Sequence, residues 1–176
     1  MKIISVLVLG ILGLIGSCAN DKSIAENDST QYNNLLIGKW KAVSLFLSDA
    51  STGVCHQEKL NKEVTFEFNG ELKEDKISYS FGGDAPVNRY FGSITFNSFD
   101  EKTNIGKITI QSLGGTKMAG SPEMMTCEQN FYNMMSESTG FQLFKENPNR
   151  LHIGRIKEND APSRDGGTYY VFEKIK

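Results

Sequence analysis

The stretch VTFEFNGELKEDKISYSF, from Val64 to Phe81, decides the fold class. Val64, Phe66 and Phe68 alternate with Thr65 and Glu67, the period of a strand buried on one face. Asn69-Gly70 follows at once and predicts a tight hairpin, because both residue types tolerate the positive φ such turns require. Ile77, Tyr79 and Phe81 alternate with Lys76, Ser78 and Ser80, which predicts the returning strand. Working outward, Tyr90 to Phe96, Gly106 to Leu113 and Phe141 to Glu146 are further β-branched or aromatic runs. Asn147-Pro148-Asn149 is turn chemistry, and Leu151 to Ile156 reads as its partner strand. Gly167 to Ile175 closes the chain, with Tyr169 and Val171 on one face and Tyr170 and Phe172 on the other. There is no internal repeat. Many short strands joined by turns predict a mainly β domain, a sandwich or barrel, and not a βαβ sheet.

One helix interrupts the strands. Ser121 is a good N-cap, Pro122 suits the first helical position, and Glu123 complements the positive end of the dipole. At about 100° per residue, Met124, Cys127, Phe131, Met134 and Met135 fall on one stripe. That stripe predicts a helix packed on the sheet or across a barrel mouth, with Gly140 as the terminator just beyond it. The competing reading of a Met-rich stripe is an adaptable binding groove.

The N-terminus is read apart from the fold. Lys2 is a short positive region, and Ile3 to Ile15 is apolar apart from Ser5 and two glycines, too short to span a membrane. Leu14-Ile15-Gly16-Ser17-Cys18 resembles a bacterial lipobox. The resemblance implies a signal peptide over 1–17, cleavage before Cys18, and acyl chains on Cys18. At about 0.8 kcal/mol per buried methylene, two chains suffice for stable anchoring. The plain alternative is an ordinary signal peptide with a chance cysteine. Residues 18–34 form the lipidated cysteine and a polar tether, too poor in apolar groups to bury a core. Residues 35–176 form one domain. The expected location is the bacterial cell envelope at the outer membrane, periplasmic or surface-facing, with the membrane as partner through the lipid anchor.

Composition excludes some functions. Net charge is −2 with both signs scattered, and no basic stripe carries interleaved aromatics, so nucleic acid is not an expected partner. Hydrophobic residues make up 39% of the chain, enough for one core without further staples.

The candidate chemistries fall away in turn. Gly115-Thr116-Lys117 is in the wrong order for a phosphate loop, and three residues separate Lys117 from the helix cap. There is no Gly-x-Ser-x-Gly elbow. His56 adjoins Cys55, but neighbours on an extended chain point to opposite faces. A zinc site would have to be assembled from Cys55, His56, Cys127 and His152, and no metal-ligand spacing supports it. His152 alternates with Leu151 and Ile153, which places it on the outer face of a strand. No metal, cofactor or catalytic residue is therefore expected. With Cys18 lipidated, Cys55 and Cys127 are an even pair in an exported protein, and a disulfide between them is the expectation.

Asn88-Arg89-Tyr90-Phe91-Gly92-Ser93 and Thr116-Lys117-Met118-Ala119 resemble the META domain, the HslJ-like family. Glu128 and Phe131 match the family's helix, Gly38-x-Trp40 its opening strand, and Leu151 to Ile153 its late hairpin. The likeness covers about Leu35 to Ile175. Two family cysteines are replaced here: Val87 stands before Asn88, and Gly120 stands after Met118-Ala119.

The resemblance implies a small, partly closed antiparallel β-barrel with one α-helix packed on it. It also implies a non-enzymatic envelope lipoprotein acting in stress or antibiotic tolerance or envelope maintenance, through an unknown protein partner. Trp40, Asn88, Phe91, Gly92, Thr116, Met118, Ala119, Glu128 and Phe131 are the motif positions, read as fold determinants. Asn88 is expected to bond exposed backbone groups, Thr116 to hold the turn before the helix, and Met118 to fill the core. Gly38-Lys39-Trp40 is also similar to the opening of lipocalin-like barrels, so the alternative is a carrier holding a small apolar ligand inside. A third possibility is a tethered inhibitor of a secreted enzyme.

Overall fold

The structure, a computed structural model, describes residues 33–55, 62–157 and 166–176. The expected signal peptide, Cys18 and the expected tether up to residue 32 lie outside the described residues, as does His56. A helical turn over 33–36 (α1) leads into β1 (Gly38–Leu47) and the short β2 (Ala50–Thr52). Then come β3 (Thr65–Leu72), β4 (Tyr79–Asp84), β5 (Arg89–Asp100) and β6 (Ile105–Gly115). Helix α2 (Pro122–Ser136) precedes β7 (Gly140–Leu143), β8 (Arg150–Ile156) and β9 (Gly167–Lys174).

From β3 to β9 each strand pairs with the next in sequence, β3 also pairs with β1, all pairs are antiparallel, and β9 returns to pair with β1. The sheet thus closes into a ring, with β2 lying only on β1. Closure is uneven. Strand β6 meets β7 only from Ile105 to Lys107 and then runs on to Gly115. Helix α2 packs against β6 and β8 on that side. The expected antiparallel β fold with one helix on it is what forms.

Alternation fills the ring. Trp40, Phe66, Phe68, Tyr90, Phe141, Tyr170 and Phe172 are all at 2% exposure or less. Ring centroids chain across the core: Phe66 to Phe81 at 5.7 Å, Phe68 to Phe96 at 5.7 Å, Phe96 to Phe141 at 5.7 Å. Each tilted or edge-on pair adds about 0.5–1.5 kcal/mol beyond its buried area. Phe131 of α2 enters this cluster, 5.1 Å from Tyr90 and 5.4 Å from Tyr170. Gly83 lets two strands approach: its φ is +152°, and a Cβ there would strike the Thr65 carbonyl.

Three local expectations are corrected. Asn69-Gly70 is not a hairpin turn. Both residues lie inside β3, where Gly70 (φ 75°) sits in a register shift between Phe68 and Leu72. A positive-φ glycine serves a bulge as well as a turn. The chain reverses later, where Asp75 accepts from the backbone N–H of Ile77 and Ser78, each at 2.9 Å, and from the Ser78 hydroxyl. These bonds, the hydroxyl's foremost, hold the Asp75 carboxyl at about 2. Ile77 consequently lies in the turn at 63% exposure, and β4 starts at Tyr79. Nor does Gly140 end α2. Glu137 does, donating to the Asn133 and Met135 carbonyls, and Gly140 opens β7.

Candidate functional site

The N-terminal half of α2 is placed by its own sequence. Ser121 Oγ accepts from Met124 N–H at 3.3 Å, and Pro122 occupies the first turn. Cys127, Phe131 and Met135 face inward as the stripe requires. Glu128 shares that buried face at 4% exposure, although a carboxylate is costly there unless hydrogen-bonded.

It is hydrogen-bonded. Glu128 Oε2 accepts from Val87 N–H at 2.7 Å and Asn88 N–H at 2.6 Å, and Oε1 accepts from Asn88 Nδ2 at 2.7 Å. Asn88, 2% exposed, turns its other end to the segment after β6. Its Oδ1 accepts from Met118 N–H at 2.6 Å and the Thr116 hydroxyl at 2.9 Å, and its Nδ2 also donates to the Met118 carbonyl at 3.2 Å. Thr116 Oγ1 accepts from Arg89 N–H at 3.1 Å, and Thr116 N–H donates to the Arg89 carbonyl at 2.9 Å. One side chain from the helix and one from the loop before β5 thus clamp a strap running from Thr116 to Gly120.

The structure brings Asn88, Thr116, Met118 and Glu128 together, and corrects the role expected of Met118. Its backbone is gripped at both ends, but its side chain is 58% exposed and fills no core. Ala119 is exposed beside it. Phe131 lies behind the clamp in the core. Trp40 lies elsewhere in the ring, its Nε1–H donating to the Leu36 carbonyl at 2.8 Å and Lys174 Nζ standing 5.0 Å over its ring. Gly92 faces inward, where a Cβ would lie 2.7 Å from the Phe81 ring. Phe91 faces outward at 61% exposure.

The positions of the two missing family cysteines adjoin. A Cβ built on Gly120 would lie 2.8 Å from Val87 Cγ2, so the valine methyls occupy the space between them. Cys55 and Cys127 are brought to a Cα–Cα separation of 5.7 Å, inside the range of a disulfide. A bond between them would tie the segment after β2 to the same helix that carries Glu128.

His152 stays apart from both cysteines' chemistry. It faces outward from β8, yet is only 7% exposed. Tyr169 stacks on it at 4.5 Å and Phe144 meets it edge-on at 4.6 Å. Neither ring nitrogen has a hydrogen-bond partner among the described residues. Burial, with a smaller push from Arg150, lowers its pKa to about 4. Among the described residues no group of three or more His, Cys, Asp or Glu side chains is placed to hold a metal ion.

Sequence reasoning missed Arg89. It and Phe91 stand two apart on β5 and so share its outer face, beside a groove of about 710 Å³ lined also by Lys39, Glu67 and Gly82. The signal was available, since an Arg-x-Phe pair on an exposed strand face is legible, but the family motif drew attention to Asn88 and Gly92 instead.

Among solved structures, the chain is similar to a protein from Burkholderia xenovorans determined by NMR. The two are 16% identical, the match covers 89% of this chain and 96% of that one, and the TM-score is 0.53, a likeness of fold alone. Comparison with curated proteins gives no match. The family model of the META domain matches residues 33–160. That span runs from the turn before Trp40 past β8 and takes in the whole Asn88–Glu128 clamp, so the chain belongs to the META domain family.

Proposed function

We propose that this META domain is the non-enzymatic, contact-making part of a bacterial envelope lipoprotein. It is held to the membrane through Cys18 and the polar tether, and acts in stress or antibiotic tolerance or envelope maintenance by binding a partner. The observation that carries this reading is how the clamp is used. The carboxylate of Glu128 accepts three hydrogen bonds, and both ends of the Asn88 amide are engaged. These groups hold a backbone, and the side chain they present, Met118, points to solvent. A carboxylate already accepting three hydrogen bonds is poorly suited to proton transfer. A rigid strap with an exposed side chain suits recognition. The ring interior does not favour a carrier, because aromatic side chains fill it.

The test is a cross-linking pull-down from envelope extracts with the full chain, alongside a deletion strain. Wild type should sit in the membrane fraction and recover a reproducible partner, and Cys18→Ser should move to the soluble fraction. Repeated failure to recover a partner, with no stress phenotype on deletion, would overturn the proposal. Inhibition of lysozyme or a protease on mixing would instead assign the inhibitor role.

A further inference from the structure

The groove beside Phe91 is a trench along β4, and its shape follows from the residues that β4 turns outward. Those are Ser80 and Gly82, both small, with Asp84 at the end of the strand. Register aligns Glu67, Gly82, Phe91 and Gly114 across four strands. A Cβ on Gly82 would lie 2.7 Å from the Tyr90 carbonyl oxygen, so the floor there is bare backbone. Glu67, Asn69, Lys39 and Ile37 form one wall, Arg89 and Phe91 the other. At about 710 Å³ the trench is within the size range of ligand sites, roughly 300–1,000 Å³. The Phe91 ring reaches over Gly114, where a Cβ would lie 3.3 Å from a ring carbon, and it remains 61% exposed.

Charge is uneven here. Lys39 pairs with Glu67 at 2.7 Å, a bond that raises the Lys39 pKa, and Lys62 pairs with Asp84 at 3.3 Å. Arg89 is the third cation against two carboxylates. It forms only long ion pairs with the same two carboxylates, 3.9 Å to Glu67 and 4.0 Å to Asp84, beyond hydrogen-bond reach. Its guanidinium donates no hydrogen bond among the described residues, and its side chain is 65% exposed. A guanidinium in that state is matched by a carboxylate, which it binds through two parallel N–H donors.

We propose that this trench binds a linear saccharide chain bearing carboxylates. The sugar ring's C–H face would lie on Phe91, its carboxylate on Arg89, and its hydroxyls along Asn69 and Ser80. A peptide fits less well. Strand β4 is already paired on both sides, so it offers a peptide no backbone ladder, and the peptide's own N–H and C=O groups would lack partners. A compact aromatic acid would engage Phe91 and Arg89 but leave the Ile37–Asn69 end empty. The inference rests on the reading above, that the domain works by contact at its outer surface.

The test is calorimetric titration of the full chain in detergent with tetragalacturonate, maltotetraose and benzoate as probes. Tetragalacturonate should bind, and more weakly as salt rises. Arg89→Gln should weaken it roughly ten- to a hundred-fold, the range for one charged hydrogen-bonding group. Phe91→Ser should also weaken it, and both variants should keep the wild-type unfolding midpoint. The proposal is overturned if tetragalacturonate gives no binding, if maltotetraose or benzoate binds as tightly, or if neither substitution matters. Should it fail while Phe91→Ser still loses the envelope partner in the pull-down, only the ligand class is wrong. If the partner is absent as well, the contact-making role falls with it.

Discussion

Glu128 and His152 are both polar side chains buried to within a few per cent of full coverage, and they are handled in opposite ways. Glu128 meets three N–H donors and ties a helix to the loop before β5. His152 meets two aromatic rings and no donor or acceptor among the described residues. A satisfied buried acceptor becomes a joint, because removing it strands every donor it served. An unsatisfied buried imidazole is held in its neutral form, because charging it inside a stack of rings is costly. The same degree of burial thus produces a lock in one place and a pH-dependent weakness in the other.

The contrast breaks first at Glu128. Glu128→Ala should destabilise the domain by on the order of 3–5 kcal/mol in chemical denaturation, since each stranded donor costs about 1–3 kcal/mol. A loss under about 1 kcal/mol would show that the clamp is not a joint. Cys127 anchors the same helix one residue away. Cys127→Ser should cost about 2–4 kcal/mol, the range for closing a long loop, and the two cysteines are 72 residues apart. Two free thiols on alkylation of non-reduced protein would remove that expectation.

His152 provides the opposite test. Its pKa falls from 6.5 to about 4 on folding, so between those values the unfolded chain binds more protons. Stability from this group is therefore complete above pH 6.5 and is lost as pH falls towards 4. The loss should be on the order of 2–3 kcal/mol. His152→Phe should flatten the stability profile across that window, and an unchanged slope would assign the acid sensitivity elsewhere. The smallest effect is expected at Met118, whose side chain touches little. Met118→Ala should stay within about 0.5 kcal/mol of wild type, while weakening partner recovery in the pull-down.

Strand content was legible because alternation is local: Phe66 and Phe68 point inward as their spacing requires. The helix start was legible too, from Ser121 and Pro122. The turn was not. Gly70 satisfies a bulge as readily as a hairpin, and the deciding acceptor, Asp75, lies five residues further on. The outward face of His152 was readable from its neighbours, but its burial depends on Phe144 and Tyr169, whose approach is set by strand pairing. Met118 was misread for a related reason. A methionine in an apolar-looking motif suggests a core, and nothing local reveals that a distant asparagine holds its backbone while its side chain faces water.

The pairing of β9 with β1 has a consequence for how the chain is made. One flank of the first strand stays unpaired until the final strand has been made. Only β2 and β3 serve the other flank. Such long sequence separation between partners slows folding and prolongs exposure of a sticky edge. A domain wired in this way completes its ring in a late step, when its last strand reaches its first.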